Sequence, residues 1–173
     1  DAGLAHDQIG PWAKLSRGTL STILGKLEEV GLIALAAPGL APQGRRQSRT
    51  FTITEAGRSR FYQMMRDTSS NLSDYQRLFY QKLVFFDLIS PEERLLLWSH
   101  YLTYCQTTAL YLQTEAAALR NELAGESNSV FREHALKNMK RLEQPWRAEV
   151  AWAIAERARE AGTEAPETAA LDE

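Results

Sequence analysis

A loop in the first third of the chain is crowded with arginine. Pro38–Gly39 and Pro42–Gly44 break the chain there, and Arg45, Arg46 and Arg49 follow within five residues. Guanidinium groups are fixed donors that suit phosphate oxygens, and like charges gathered on a turn are costly unless an anion is expected. The spacing therefore predicts a basic loop tip that contacts a polyanion.

A predicted helix precedes this loop. Ser16 is a suitable N-cap and Gly31 a suitable C-cap, and an apolar stripe recurs between them at helical spacing: Leu20, Ile23, Leu24 and Leu27. The opposite face carries Arg17, Thr19, Ser21, Thr22, Gly25 and Lys26. Short polar side chains let a helix approach base edges in a DNA major groove, and the cations can bond phosphates. The pattern also fits an amphipathic surface helix whose polar face is only solvated.

A β-hairpin is predicted to carry the basic loop. Leu32–Leu35 form its first strand, and Thr50–Ile53, with alternating polar and apolar residues, form its second. A short polar helix followed by a hairpin with a basic tip is typical of a winged helix-turn-helix, so we expect DNA contacts from both elements. The candidate DNA-binding residues are Arg17, Thr19, Ser21, Thr22, Lys26, Arg45, Arg46 and Arg49.

Charge is divided unevenly along the chain. The net charge is −2, yet residues 1–66 carry nine Lys and Arg against five Asp and Glu, a balance of +4, which leaves −6 for residues 67–173. Such asymmetry indicates that one half meets a polyanion and that the other half has a different role.

Composition sets further expectations. Hydrophobic content of 44% and charged content of 24% are typical of a folded soluble protein. No apolar run approaches the ~20 residues of a membrane span, and no signal-peptide pattern opens the chain. The single cysteine, Cys105, excludes an intrachain disulfide. We therefore expect a cytoplasmic protein with no membrane partner.

The second half reads as helices that pair two copies of the chain. Tyr75, Phe79, Leu83 and Phe86 form the stripe of one helix, and Ser90–Glu93 has the residues of a capping box that begins a long helix reaching about Leu123. On that helix apolar residues alternate by three and four over four heptads, and a second stripe lies on another face. The first stripe is Leu95, Trp98, Leu102, Cys105, Ala109, Leu112, Ala116, Leu119 and Leu123, and the second is Leu97, Tyr101, Tyr104, Thr108 and Tyr111.

One helix with two apolar faces needs two partners. We expect the chain itself to cover one face and a second copy to cover the other. The predicted dimerisation residues are Leu95, Trp98, Leu102, Cys105, Leu112 and Leu119. A last helix is predicted from about Ser129 to Ala161, with Pro145 kinking or restarting it, and the acidic tail 162–173 is predicted to be disordered.

An enzyme would need a cluster of reactive groups, and the sequence offers none. His6, His100 and His134 lack metal-ligand spacing, and no Gly-rich phosphate loop occurs. We therefore predict no catalytic residues, no metal and no cofactor. A small-molecule effector stays open, since aromatic residues of the second half fit either a ligand pocket or ordinary helix packing. The candidate pocket residues are His100, Tyr101, Tyr104 and Trp146.

Residues 15–57 resemble the PadR family of bacterial transcriptional regulators. In that family a helix of the form S-x-G-T-L-x-x-x-L-x-x-L-E-x-x-G-L-I precedes a basic wing and a T-E-A-G step into the next helix. The matching positions here are Ser16, Gly18, Thr19, Leu20, Leu24, Leu27, Glu28, Gly31, Leu32, Ile33, Thr54, Glu55, Ala56 and Gly57. The stretches LISPEERLLL and WRAEVAW are similar, more loosely, to the helical C-terminal domain of the longer-chain subgroup.

The resemblance implies a winged-helix domain at 1–66 and a helical dimerisation domain at 67–161, hence a mainly α fold with a small β-hairpin wing. It implies a homodimer that binds double-stranded DNA at a palindromic operator, and we expect repression because a protein bound at a promoter obstructs polymerase. Ser21 stands where the family often has tyrosine, so base contacts there would differ. The family's first helix is longer than Ala2–Gly10, so we expect part of that helix to be missing from the sequence. The alternative is a winged-helix module that binds another protein within a larger complex.

Overall fold

Residues 16–36, 49–69, 74–125 and 130–163 are described by the computed structural model. Within these ranges the chain is mainly helical and has one two-stranded antiparallel sheet. It divides into two compact units, Asp1–Asp67 and Thr68–Glu173, which we call the first unit and the second unit.

The first described helix of the first unit is α1, Arg17–Glu29; its N-cap is Ser16, as predicted, and its C-cap is Val30, one residue before the predicted Gly31. The Ser16 hydroxyl accepts a hydrogen bond from the Thr19 N–H at 3.1 Å. At the other end Gly31 has φ +74°, a left-handed conformation that glycine adopts without strain. The N–H groups of Gly31 and Leu32 donate to the carbonyls of Glu28 and Leu27, at 3.0 and 2.9 Å, as in a Schellman motif.

A short hairpin follows, close to where the sequence predicted it. Strand β1, Ile33–Leu35, pairs antiparallel with β2, Phe51–Ile53, in the register Ile33 to Ile53 and Leu35 to Phe51. The hairpin leads at once into helix α2, Glu55–Arg66.

The turn from β2 into α2 explains why threonine stands at position 54 and glycine at position 57. The Thr54 hydroxyl accepts from the Gly57 N–H at 3.0 Å and donates to the Gly31 carbonyl at 2.7 Å. A Cβ placed on Gly57 would lie 2.0 Å from the Leu32 carbonyl oxygen, closer than any real contact. Glycine is therefore required where α2 passes the end of α1.

The second unit has three helices and a turn. They are α3, Tyr75–Leu83; a 3-10 turn, Phe86–Leu88; α4, Pro91–Gly125; and α5, Val130–Glu160. The capping box is confirmed, since the Ser90 N–H donates to the Glu93 carboxylate at 3.0 Å and the Glu93 N–H donates to the Ser90 hydroxyl at 3.3 Å.

One prediction for these helices is wrong, and another is narrowed. Phe86 was predicted to belong to the first helix, but that helix ends at Leu83 and Phe86 lies in the 3-10 turn that follows it. Of the kink or restart predicted at Pro145, the restart does not occur, because α5 is continuous through that residue. Pro145 is exposed, so its ring can face solvent on a helix whose other side is packed.

Helices α4 and α5 run antiparallel. The Arg94 guanidinium bonds the Glu160 carboxylate at 2.7 Å, and Gln113 bonds Glu143 at 2.8 Å near the opposite end. Arg94 also donates to the carbonyls of Phe86 and Ile89, at 3.3 and 2.9 Å, which ties the 3-10 turn to the start of α4.

Aromatic rings fill the core of the second unit. Phe79 of α3 stacks on Tyr101 of α4, with ring centroids 3.8 Å apart and planes within 3°. Trp98 meets both Phe79 and Trp152 of α5 edge to face, at 5.0 and 5.1 Å. Each aromatic side chain buries a large apolar surface, so this cluster supplies much of the stability of the unit.

Candidate functional site

The predicted polar face of α1 is exposed in the structure. Thr19, Ser21, Thr22 and Lys26 are all open to solvent, while Leu20, Leu24 and Leu27 on the other side are half-buried. Ile23, predicted to belong to the buried stripe, is 39% exposed. Arg17 begins α1, and its side chain lies outside the described residues.

Two of the hydroxyls on this face are already used within the helix. The Thr19 hydroxyl lies 2.8 Å from that of Ser16, and the Thr22 hydroxyl donates to the Gly18 carbonyl at 3.1 Å. The Thr22 proton is engaged by that carbonyl, whereas either hydroxyl of the Ser16–Thr19 pair can be the donor; both threonine oxygens keep acceptor capacity. Ser21 and Lys26 are therefore the better donors of the face.

Arg49 stands beside β2 and reaches the C-terminal end of α1. Its guanidinium lies 3.7 Å from the Glu28 carboxylate and 5.6 Å from the centre of the Phe51 ring. The Arg49 side chain is 65% exposed, and exposed ion pairs contribute at most about 1 kcal/mol. A phosphate could therefore displace Glu28 at small cost. Arg45 and Arg46 lie outside the described residues.

Trp98 and Cys105 are wrongly predicted as dimer contacts. Trp98 is 5% exposed and Cys105 is fully buried within a single chain, where α3 and α5 both pack on α4. The premise that a single chain can cover only one stripe also fails, since Leu97 and Tyr101 of the second stripe are buried too. Leu95, Leu102, Leu112 and Leu119 are half-buried.

The candidate effector residues belong largely to the packed core. Tyr101 has no exposed surface, and Tyr104 lies between Tyr75 and Trp146, with ring centroids 4.9 and 5.5 Å away. His100 is exposed, and its Nδ1 lies 2.5 Å from the Tyr75 hydroxyl. Because Tyr101 presents no surface, the structure favours ring packing, one of the two alternatives that the sequence left open for these residues.

A polar cluster missed by the sequence analysis lies against these rings. The hydroxyls of Tyr80 and Tyr101 each donate to Glu149 Oε1 at 2.5 Å, and Gln76 Nε2 lies 3.1 and 3.3 Å from the same hydroxyls. Glu149 is 69 residues from Tyr80 in sequence, so no local pattern could signal the pairing.

Burial also shifts the pKa values of groups near this cluster. Desolvation raises the pKa of Cys105 to about 12 and that of Tyr75 to about 12, and it raises the pKa of Tyr101 further. These groups are therefore neutral at physiological pH, and the Cys105 thiol is a packing group rather than a nucleophile.

An exposed stripe runs along the outer side of α4. It follows a three–four alternation and consists of Leu96, His100, Thr103, Thr107, Leu110 and Thr114, which we call the outer stripe. The three threonine hydroxyls donate to carbonyls four residues earlier, at 2.8 to 3.0 Å. Their protons are therefore engaged by the α4 backbone. In the sequence, Glu115 is the single Asp, Glu, Lys or Arg between Arg94 and Arg120.

Within the described ranges, no group of three or more His, Cys, Asp or Glu is arranged to hold a metal ion. Among the described helices, none is both long and apolar enough to cross a membrane. No protein-family model matches the chain, and no curated protein matches it.

Proposed function

We propose that this protein is a sequence-specific DNA-binding transcriptional regulator that represses as a homodimer. In this proposal the first unit is a winged helix, α1 is the helix that enters the major groove, and the hairpin β1–β2 is the wing. The resemblance of residues 15–57 to the PadR family supports the assignment, as does the +4 balance of residues 1–66.

The observation that carries the proposal is the exposed polar face of α1 beside an arginine at the base of the hairpin. The side chains of Ser21 and Lys26 are open to solvent, and Arg49 is paired with Glu28 by a weak, exposed ion pair. Base edges need donors and acceptors on a narrow helix face, and phosphates need cations at its margin. Both are present within one short stretch of chain.

The second copy is proposed to dock on the outer stripe of α4. Leu96 is 60% exposed and Leu110 is 62% exposed. A two-fold axis would place the outer stripe against itself, and a stripe without Asp, Glu, Lys or Arg brings no like charges together there. The hydroxyls need no new partners, because they are already bonded to the α4 backbone.

A two-fold dimer would present two recognition helices to the same duplex. Successive major-groove faces lie ~34–36 Å apart, so the operator should be a palindrome with half-sites about 10 base pairs apart or a multiple of that spacing. Selection of duplexes from a random library with the purified full chain would identify the sequence.

Binding to a labelled random-sequence duplex, titrated at several salt concentrations, tests DNA binding first. Replacing Arg45, Arg46 and Arg49 together by alanine should weaken binding to all sequences. It should also flatten the salt dependence by roughly one unit for each phosphate that the wing no longer neutralises. A matched variant with Arg77, Arg120 and Arg141 changed to alanine removes the same charge from the second unit and should bind as the parent does.

The outcome that contradicts the proposal is a parent chain with no salt-dependent DNA binding. A winged-helix module that binds protein would behave in that way. Equal weakening in the two triple variants would instead trace binding to net charge and remove the wing from the proposal.

Sedimentation velocity at micromolar concentration tests the dimer separately. Leu110→Glu should give a monomer, because a charge would be buried where the outer stripes of the two copies meet. Leu88→Glu changes an equally exposed leucine of the 3-10 turn and should remain dimeric. A monomeric parent chain would rule out the dimer and leave the DNA contacts of a single unit to be tested as above.

A further inference from the structure

The three glycines at positions 25, 31 and 57 of the first unit differ in what the fold demands of them. Gly31 has φ +74°, and a Cβ on Gly57 would lie 2.0 Å from the Leu32 carbonyl oxygen, so the fold requires both. Gly25 lies inside α1 without a positive φ, and a Cβ built there would meet no atom within 4 Å. Nothing in the described part of the first unit requires glycine at position 25.

Glycine at position 25 has a cost. It is the poorest helix former after proline, because its backbone loses the most conformational freedom when it becomes helical. An alanine at the same place would meet no atom of the described residues within 4 Å and would have a better helix propensity. The residue therefore weakens α1, and no contact with the described residues 16–36 and 49–67 of the unit compensates for that cost.

Gly25 lies on the face that we propose to enter DNA. Gly18, Thr22 and Gly25 follow one another at spacings of four and three residues, so they lie one above the next on the helix, and all three are exposed. Ser21 and Lys26 flank this line on either side. The middle of the exposed face is thus backbone and short side chains.

Dimensions give this bare face a physical meaning. The major groove is about 12 Å wide, and a helix with its side chains is about 10–12 Å across. A helix fills such a groove fully, so the depth it reaches depends on how far the side chains of its leading face project. Removing the Cβ from the leading face lets the backbone come closer to base edges or to a phosphate.

We infer that Gly25 is a specificity-determining residue, whose missing side chain sets how deeply α1 sits in the major groove. The inference rests on the proposed function. At this depth the short side chains of Ser21 and Thr22 reach the bases. A longer side chain at position 25 would hold the helix farther out and prevent that contact. Position 25 is not among those that carry the family resemblance, so this contact belongs to the present chain.

The test measures two effects of one substitution, a rise in thermal stability and a fall in DNA affinity. Gly25→Ala should raise the melting temperature by about 1–4 °C, because it improves helix propensity in open space. The same variant should weaken binding about tenfold or more to a labelled duplex of about 24 base pairs, long enough for two half-sites one turn apart. The duplexes used are a random sequence and the tightest one obtained by selection.

Two further variants sharpen the result. Gly25→Leu adds a larger side chain of good helix propensity and should weaken binding more than Gly25→Ala. Ser59→Ala improves helix propensity at an exposed position of α2 and should stabilise the unit without weakening binding. Circular dichroism of each variant at the binding temperature confirms that it is folded.

The outcomes separate the inference from the function on which it rests. If the parent chain binds DNA and Gly25→Ala binds equally well, the inference is overturned and the proposed function stands. If Gly25→Ala lowers the melting temperature, glycine serves the fold and the inference is again overturned. If the parent chain shows no salt-dependent DNA binding, both are overturned.

Discussion

The two units of this protein use their side chains in opposite ways. Among the described residues of the first unit, Gly57 and Met65 are buried, and the helix α1 keeps most of its surface open. The second unit buries ring upon ring, from Phe79 and Trp98 to Tyr101. An element whose surface is not used within its own unit is available for contact, whereas one whose rings are interlocked is a scaffold.

Polar groups show the same contrast. In the first unit the hydroxyls of Thr19 and Thr22 bond within a few residues on an exposed helix. In the second unit the hydroxyls of Tyr80 and Tyr101 converge on Glu149 across three helices. In this part-buried network, breaking one bond removes a partner from a polar group that water reaches only in part, which costs free energy.

The largest expected effect breaks the first unit alone. Gly57→Ala would force a Cβ against the Leu32 carbonyl, a backbone atom that cannot move without separating α2 from the hairpin. We expect a loss of roughly 4 kcal/mol or more in the free energy of unfolding of that unit. Hydrogen exchange followed by peptide mass spectrometry should show fast exchange over residues 16–67 and unchanged protection over α4 and α5. Equal loss in both units would mean that they do not fold independently.

The next effect falls on the second unit. Phe79→Ala would remove the ring stacked on Tyr101 and leave a cavity between α3 and α4, at a cost of about 3–5 kcal/mol. Urea unfolding monitored by tryptophan fluorescence measures it. Val84→Ala, just after α3 and 53% exposed, is the matched control and should change the unfolding free energy little. A small effect of Phe79→Ala would show that the rings repack around the gap.

A smaller effect tests the polar network. Tyr101→Phe keeps the stacked ring and removes one of the two hydroxyls that donate to Glu149, so we expect a loss of about 1–2 kcal/mol in the free energy of unfolding. Tyr111→Phe removes the hydroxyl of a tyrosine that is 61% exposed and should cost almost nothing. If the two variants lose the same amount, the Glu149 network contributes no stability.

The smallest effect is confined to alkaline pH. The Cys105 pKa is raised by desolvation from 9.0 to about 12, so the unfolded chain releases this proton before the folded chain does. The stability that it contributes is complete below about pH 9 and is lost as the pH rises towards 12. Cys105→Ala should therefore flatten the fall of the unfolding free energy between those values, as measured by urea titration at each pH. The remaining slope is expected from Tyr75, whose pKa is also raised to about 12, and from Tyr80, Tyr101 and Tyr104, whose pKa values are raised by burial as well.

Local signals in the sequence determined the ends of several elements. Ser16 and Gly31 delimit α1, and the Ser90–Glu93 capping box begins α4, because caps act through atoms a few residues away. The hairpin was predicted to within one residue for the same reason, since its strands are bounded by turn-forming residues on both sides. The exposed face of α1 also followed from helical periodicity alone.

Only the tertiary structure decided which apolar faces are covered. Periodicity identifies a stripe but not its partner, so Trp98 and Cys105 were assigned to a second copy although α3 and α5 of the same chain bury them. The Glu149 network was equally invisible, because its hydroxyl partners lie on helices far away in sequence. Glycine is required at position 57, whereas no described atom requires it at position 25. This difference likewise depends on which atoms surround each position. Caps and turns depend on hydrogen bonds between residues that are close in sequence, so the sequence predicts them. Burial and close approach arise only when segments that are distant in sequence pack together.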